Sequence, residues 1–392
     1  MKKGVIGLVL NKVPEYSETF FVNKINCLQN EGFDIVIFAA KNRQKVSDDW
    51  NVVTPYFLSD NKIARSIALP FVIFFLILKS PLVVKRFIAL ERSDGYSWKI
   101  ILENLFINAH ILSEKLDWLH FGFATTALRR ENVGAAMRVK TAVSFRGYDI
   151  AVYPLKHQDC YDLLWKKVDK VHSISNDLFE RAYKLGLQKD IASVKITPAI
   201  DVNHFAKKNT KTVSNSINIL TISRLTWIKG LSYSIYAMYL LKQKGVDFRY
   251  TIVGDGDDRG NLFFMIEDLG LKENVFLAGK LNSEKIKSLF SDNEIYLQPS
   301  VHEGFCNASL EAQAAGLLCI VTDGGGLKES VVDLHTGWVV PVRNPAAIAD
   351  AILNVHKLPE QDKQEIIYNA RVRVENEFNL ETQTKQFVDF YS

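Results

Sequence analysis

INILTISRLTWIKGLSYSIYAMYLLKQK, residues 217–244, decides the fold. Ile217–Ser223 is a short apolar run rich in β-branched residues, and such a run closed by a polar turn makes a strand. Gly230–Lys244 then carries apolar residues at helical spacing. A polar stretch, DVNHFAKKNTKTVSNS from Asp201 to Ser216, precedes this unit and reads as a linker. Strand and helix alternate again downstream, with strands expected at Arg249–Val253, Asn274–Ala278, Ile295–Gln298 and Leu318–Thr322. The same alternation runs upstream. Strands are expected at Gly4–Leu10, Asp34–Ala39, Trp118–His120, Thr141–Phe145 and Val171–Ile174. A helix at Glu18–Glu31 sets Phe21, Ile25 and Leu28 on one face.

Strands apolar on both faces and separated by helices imply parallel sheets. The expected fold class is therefore α/β, with two Rossmann-like doubly wound domains. Residues 1–200 form the first and residues 201–374 the second. A length of 392 residues agrees, because one hydrophobic core stops growing well below that size. Ligands of such sheets bind beyond the C-terminal strand ends, so the space between two facing domains is the expected site.

The composition is 47% apolar and 23% charged, that of a globular chain. A net charge of +4 with no arginine-rich run excludes nucleic acid as the expected partner. Cys27, Cys160, Cys306 and Cys319 fit neither a zinc site nor a disulfide framework, and scattered thiols of this kind suit a reducing cytoplasm. The N-terminus, MKKGVIGLVLNKV, is too short in its apolar part for a signal peptide and reads as a first buried strand. Ile67–Leu78 reads IALPFVIFFLIL. Twelve residues fall short of the ~20 that span a bilayer. The expectation is a buried helix; the alternative is a surface element that dips into a membrane, helped by Lys79, Lys85 and Arg86.

Two strand ends carry chemistry. SRLTWIKG, residues 223–230, delivers Arg224 and Lys229 just past a strand, where they can neutralise a diphosphate. QPSVHEGFCNASLE, residues 298–311, leaves another strand and enters a helix. The amides of Phe305, Cys306, Asn307 and Ala308 would meet an anion at that helix N-terminus. Glu303 lies before the helix and Glu311 about one turn inside it, both suited to accept hydrogen bonds from a vicinal diol. Taken singly, the cations could be solvated and the glutamates could merely stabilise the helix dipole.

In combination the motifs are specific. The chain resembles the family-4 glycosyltransferases of the GT-B fold, which are retaining enzymes. Glu303 and Glu311 match that family's E-x7-E motif, and Arg224 with Lys229 its diphosphate-binding pair. Gly254-Asp255-Gly256 matches its second-domain glycine turn, and DGGGLKE at 323–329 the loop after its E-x7-E helix. In the first domain, PEYSETF at 14–20 and HFG at 120–122 resemble further segments of the family. The resemblance implies a donor site with Glu311 on the ribose and Glu303 on the transferred sugar. Arg224 and Lys229 take the place of a metal ion, the amides of residues 305–308 assist them, and Gly254 turns beside the nucleotide. Gly279-Lys280-Leu281 would lie by the base. Ser17, Glu18 and Thr19 would lie in the cleft; without the resemblance they read as a helix cap. His120 is then a cleft residue, or else a structural one. The C-terminal helix, about 375–392, would return to the first domain.

The implied reaction is metal-independent hexosyl transfer, with UDP- or GDP-sugar as donor substrate and no cofactor. The acceptor would be a saccharide or lipid-linked saccharide of a surface polysaccharide, and the site cytoplasmic, either free or peripheral at the inner membrane face. Asp255-Gly256-Asp257 reads as D-x-D, but its place after a strand marks a turn rather than a metal site.

One position departs from the family pattern. Where the family has a histidine before glycine, this chain has Arg146-Gly147-Tyr148-Asp149. Arginine stays protonated and cannot act as a general base. It can bind an acidic donor sugar or an acceptor phosphate, or simply pair with Asp149. A nicotinamide dehydrogenase is excluded, since no glycine fingerprint follows the first strand. A nucleotide-sugar epimerase or a catalytically inactive scaffold homologue are the rivals that share the fold.

Overall fold

The computed structural model describes residues 3–14, 19–40, 50–56, 61–205 and 216–392. The chain forms two compact units, one of residues 1–196 with 384–392 and one of residues 197–383. Most of the polar stretch 201–216 lies outside the described residues.

The first unit is built on seven strands: β1 (Gly4–Lys12), β2 (Phe33–Ala40), β3 (Asn51–Val53), β4 (Trp118–Phe121), β5 (Lys140–Phe145), β6 (Lys170–Ser173) and β7 (Ala192–Lys195). Their order is β3-β2-β1-β4-β5-β6-β7, all parallel. The second unit has six: β8 (Ile217–Ile222), β9 (Phe248–Val253), β10 (Val275–Gly279), β11 (Ile295–Gln298), β12 (Leu318–Thr322) and β13 (Trp338–Val340). These run β10-β9-β8-β11-β12-β13, again all parallel. Both sheets reverse direction of winding beside their first strand, as doubly wound sheets do. The fold is GT-B, with two Rossmann-like units.

The second sheet shows why such runs read as continuously apolar. Ile217, Ile219, Ile295, Leu297, Leu318 and Ile320 join a core on one face. Leu220, Tyr296, Cys319 and Val321, one residue out of step, join a core on the other. A side-chain period of two feeds both faces, and helices cover each. Strands missed at the sequence level, β3, β7 and β13, are edge strands of three or four residues. Pairing with a neighbour, not apolar content, makes them strands.

The C-terminal helix, Leu380–Tyr391, drives Phe387, Phe390 and Tyr391 into the core of the first unit. Two side chains of that unit cap its last carbonyls. Lys170 Nζ donates to Phe390 O at 2.7 Å and Trp118 Nε1 to Tyr391 O at 3.0 Å. These satisfy acceptors that a helix end otherwise leaves open.

One expectation is overturned. The apolar segment 67–78 belongs to a helix, Lys62–Lys79, but the helix is not buried. Asn61 Oδ1 caps its start, accepting from Ile63 N at 2.9 Å. Leu76 is enclosed, while Phe71 is 71% exposed and Phe74 63% exposed. The helix leans on another, Trp98–Leu112, through its inner side only. An apolar run says that a helix avoids water; it does not say on which side.

Phe387 is 2% exposed and its ring meets those of Phe20 and His172. Phe387→Ala is expected to destabilise the first unit by about 3–5 kcal/mol, read from the midpoint of its urea transition.

Candidate functional site

The second unit ties its strand-end loops together through backbone contacts that only small residues permit. Gly254, after β9, has φ +140°, and a Cβ there would fall 1.8 Å from Ser223 O. Gly254 N donates to Gly279 O at 2.9 Å, which joins the loop after β10. Leu225 N donates to Asp255 O, and Leu225 O accepts from Asp258 N, both at 3.0 Å. Asp255 Oδ1 accepts from Gly256 N at 3.0 Å, so the D-x-D carboxylate serves its own turn. No group of three or more metal-type side chains occurs among the described residues.

The loop after β8 reaches the loop after β11 in the same manner. A short turn, Trp227–Lys229, ends at Gly230, where a Cβ would meet Pro299 O at 2.1 Å. Val301 N donates to Ile228 O at 2.8 Å. Lys229 is thereby placed on Glu303: its ammonium donates to Glu303 Oε1, with both side chains near 12–13% exposed. Ser300 Oγ donates to the same oxygen at 3.0 Å. Behind it, Gln298 Nε2 donates to Ser300 Oγ at 2.8 Å and Tyr296 OH to Gln298 Oε1 at 2.6 Å. The Glu303 backbone is fixed as well. Its N–H donates to Gly324 O at 3.1 Å, and its carbonyl accepts from Gly326 N at 2.8 Å.

Sequence reasoning missed Gln298 and Ser300. The signal was there: two polar residues at a spacing of two close an otherwise apolar strand. It also missed two hydroxyls. Ser223 Oγ and Thr226 Oγ1 are enclosed without a hydrogen-bond partner beside the cationic loop. Arg224 is exposed and has no ion-pair partner among the described residues.

The helix Asn307–Ala314 follows Glu303. No acceptor among the described residues takes the amides of Phe305, Cys306, Asn307 or Ala308. The side chains before the helix turn inward. The Phe305 ring packs on Phe378 at 5.6 Å, and Cys306 is enclosed, its thiol pushed up to about 11 chiefly by burial. Glu311 has no ion-pair partner among the described residues, and burial raises its carboxyl to about 7. The Leu281 side chain packs into the core with Val253 and Phe290, and lines a cavity of about 560 Å³ under β8–β10. A second cavity, about 300 Å³, lies between Trp227, Asp258, Val301 and Arg343 and includes none of the expected donor residues.

In the first unit the outcome differs. Ser17, Glu18 and the Thr19 side chain lie outside the described residues; Thr19 begins the helix Thr19–Asn30. His120, expected to face a cleft, is fully enclosed. A carbonyl can only accept, so His172 Nε2 donates to Ile196 O at 2.9 Å. His172 Nδ1 then accepts from Ser144 OH at 2.7 Å, and Ser144 Oγ from His120 Nε2 at 2.7 Å. Tyr391 OH closes the chain by donating to His120 Nδ1 at 2.6 Å. Burial, aided by Lys24, holds both imidazoles well below their ordinary pKa. His120 is thus a neutral member of an internal relay with both nitrogens occupied, and its place does not fit proton exchange with a substrate.

Arg146 does not pair with Asp149 through its side chain. Asp149 spends its carboxylate on backbone, accepting from Arg146 N, Gly147 N and Ala124 N at 2.9–3.0 Å. The Arg146 guanidinium lies over the Phe20 ring at 3.3 Å, and its Nε and Nη2 have no hydrogen-bond partner. Burial lowers it to about 9, which leaves it a cation at neutral pH. Lys24 is a further buried basic residue that sequence reading did not mark, its pKa pushed well down by burial and by Arg146. Its Nζ has no hydrogen-bond partner and rests over Phe387 and Tyr391.

Residues 203–373 match the family described as glycosyl transferases group 1. The chain is 28% identical over 394 residues to the amylovoran biosynthesis glycosyltransferase AmsK of Erwinia amylovora, covering 96% of each. It is also 28% identical to the putative colanic acid biosynthesis glycosyltransferase WcaL of Escherichia coli K12, covering 95% of this chain and 96% of that one. Among solved structures it is similar in fold to a glycosyltransferase of Rickettsia africae, with TM-score 0.72, 19% identity, and coverage of 100% and 98% of the two chains. It is likewise similar to HepE of Anabaena, solved with UDP, with TM-score 0.74, 15% identity, and coverage of 100% and 99%. The matched segment holds the Lys229–Glu303 pair, the open helix amides and Glu311; the chain is similar to the group 1 glycosyltransferases over residues 203–373 and to polysaccharide-biosynthesis glycosyltransferases along nearly its whole length.

Proposed function

We propose that the chain transfers a hexosyl unit from a UDP- or GDP-sugar to a saccharide or lipid-linked saccharide during surface-polysaccharide synthesis. The transfer retains anomeric configuration and uses no metal ion, and it takes place in the cytoplasm. One observation carries this reading: Lys229 is anchored on Glu303 next to amides, hydroxyls and an exposed Arg224 that the described residues leave without partners. The relatives named for amylovoran and colanic acid support the polysaccharide. The UDP complex of a protein alike in fold supports the donor class.

The chemistry follows from charge. The bond between the anomeric carbon and the β-phosphate oxygen breaks, and the leaving diphosphate gains negative charge. Arg224, Lys229 and the amides of Phe305–Ala308 stabilise that charge where it develops. An ammonium has three donors, so Lys229 can keep one on Glu303 and give others to phosphate. The acceptor oxygen attacks the same face of the sugar, and its proton passes to the departing phosphate oxygen. Glu303, held by Lys229 and Ser300, accepts hydrogen bonds from sugar hydroxyls and fixes the ring. Glu311 accepts from the ribose diol.

Glu303→Gln and Arg224→Ala are each expected to lower the transfer rate ~10²–10³-fold. Nucleotide release by purified protein measures this, and a chelator should leave wild-type turnover unchanged. A requirement for magnesium, or a product of inverted anomeric configuration by NMR, would overturn the mechanism.

Glu311 makes a second test. Its folded pKa lies above the usual carboxylate value, so its contribution to stability is full below the unfolded pKa and is lost as pH rises towards about 7. Glu311→Gln should flatten the fall in stability between pH 5 and 8 by ~1–3 kcal/mol in urea titrations. Ribose hydroxyls that donate to the carboxylate favour its charged form. Nucleotide binding near pH 7 should therefore release a fraction of a proton, seen as buffer-dependent heat in calorimetry and absent in the variant.

A further inference from the structure

We infer that the helix Lys62–Lys79 is a docking surface for an anionic lipid bilayer, lying flat on it rather than crossing it. Ile63, Ile67, Phe71, Phe74 and Leu78 recur at intervals of four, four, three and four, so they form one stripe along the helix. All five are exposed, Leu78 by 66%. The stripe continues onto Leu82, at the start of the next helix, Pro81–Ser93. A soluble surface scatters such side chains; gathered on one helix they mark an interaction face.

Charge selects the partner. From Asn61 to Leu90 the chain has Lys62, Arg65, Lys79, Lys85 and Arg86 but no Asp or Glu; Lys79 meets Glu114 at 3.4 Å and Arg86 Nε donates to Ala136 O, while Lys85 stays exposed. Beyond Leu82, the outward side of the second helix turns basic, with Lys85 and Arg92 exposed. Arg92 lies 5.1 Å over the ring of Trp98, itself 54% exposed. An apolar face fringed by cations and an indole matches the boundary between acyl chains and anionic headgroups. A second copy of this chain fits poorly. A two-fold interface would set the stripe and its cations against themselves, with no acid in the segment to meet them.

The helix does not fit a crossing role. No single described helix is long and apolar enough to span a membrane, and the two helices meet at a sharp bend of 118°. Leu76 and the Arg65–Phe106 contact keep the first helix fastened to its own unit. The inference stands apart from the acceptor's chemistry, since the face is there whatever sugar is moved.

Vesicle co-sedimentation of the full chain tests it. Binding is expected to vesicles of phosphatidylcholine with about 30 mol% phosphatidylglycerol, and to fall away with phosphatidylcholine alone or at high salt. The double variant Phe71→Asp/Phe74→Asp should lose at least about tenfold in binding. Lys85→Glu should lose roughly fivefold or more. Neither should shift the thermal melting curve or donor hydrolysis, because the altered side chains already face solvent. Wild-type binding by the double variant would overturn the inference, as would no binding to anionic vesicles. So would protein that resists carbonate extraction, which would indicate a crossing. A concentration-dependent dimer that Phe71→Asp/Phe74→Asp dissolves, with no vesicle binding, would assign the face to a second copy instead.

Discussion

The second unit is organised around one ion pair, Lys229 with Glu303, because it joins the loop after β8 to the loop after β11. Parallel strands end together at one edge, so their loops compete for the same space. Gly230, Gly254 and Gly324 let those loops pass at contact distance, and a Cβ at any of them would strike backbone oxygen. The ion pair then fixes what the glycines allow. A pair this enclosed gives little net stability, because desolvation of both charges offsets their attraction. Removing one partner alone, by contrast, would leave a buried charge uncompensated, at ~3–5 kcal/mol. Its value is positional: it holds an ammonium and a carboxylate at set places before any ligand arrives, so little reorganisation is left for the reaction.

The two glutamates of that unit differ for physical reasons. Glu303 is surrounded by donors, Lys229 and Ser300, and its backbone is stitched to the glycine loop. Glu311 sits one turn into a helix with burial and no compensating partner, which raises its pKa. A carboxyl in that condition is readily converted to the charged form by a ligand that brings hydroxyl donors. The spacing of the two residues in the sequence says that they lie near one helix start; it does not say which is paired and which is desolvated.

The sheets, and the two strand ends whose loops bring Lys229 to Glu303, could be read from the sequence, and the reasons are local. Strands buried on both faces must be apolar throughout, and residues at strand ends followed by a helix have one place to go. Edge strands such as β13 escaped because three residues carry no pattern. The sequence left His120 and Arg146 open between two readings for a different reason. A strand-end histidine can face either outward or along the sheet, and the choice depends on Ser144, His172 and Tyr391, which come from distant parts of the chain. Asp149 looked like the natural partner for Arg146, yet three backbone amides reach it first.

That internal relay explains why the C-terminal helix matters to the first unit beyond its apolar packing. Tyr391 supplies the donor that ends the His120–Ser144–His172 chain, while its carbonyl accepts a hydrogen bond from Trp118 Nε1. Each imidazole is neutral and has one donor and one acceptor nitrogen, so the chain can be satisfied in only one sense once Ile196 O fixes the far end. Lys24 Nζ and the Nε and Nη2 of Arg146 lie nearby without hydrogen bonds, held over the rings of Phe387, Tyr391 and Phe20. Neutral imidazoles are the state these cations favour, and each cation in turn lowers the histidine pKa values. The last turn of the chain therefore completes the hydrogen bonding of a histidine 271 residues earlier. That coupling belongs to the folded unit, and no local reading of the HFG segment contains it.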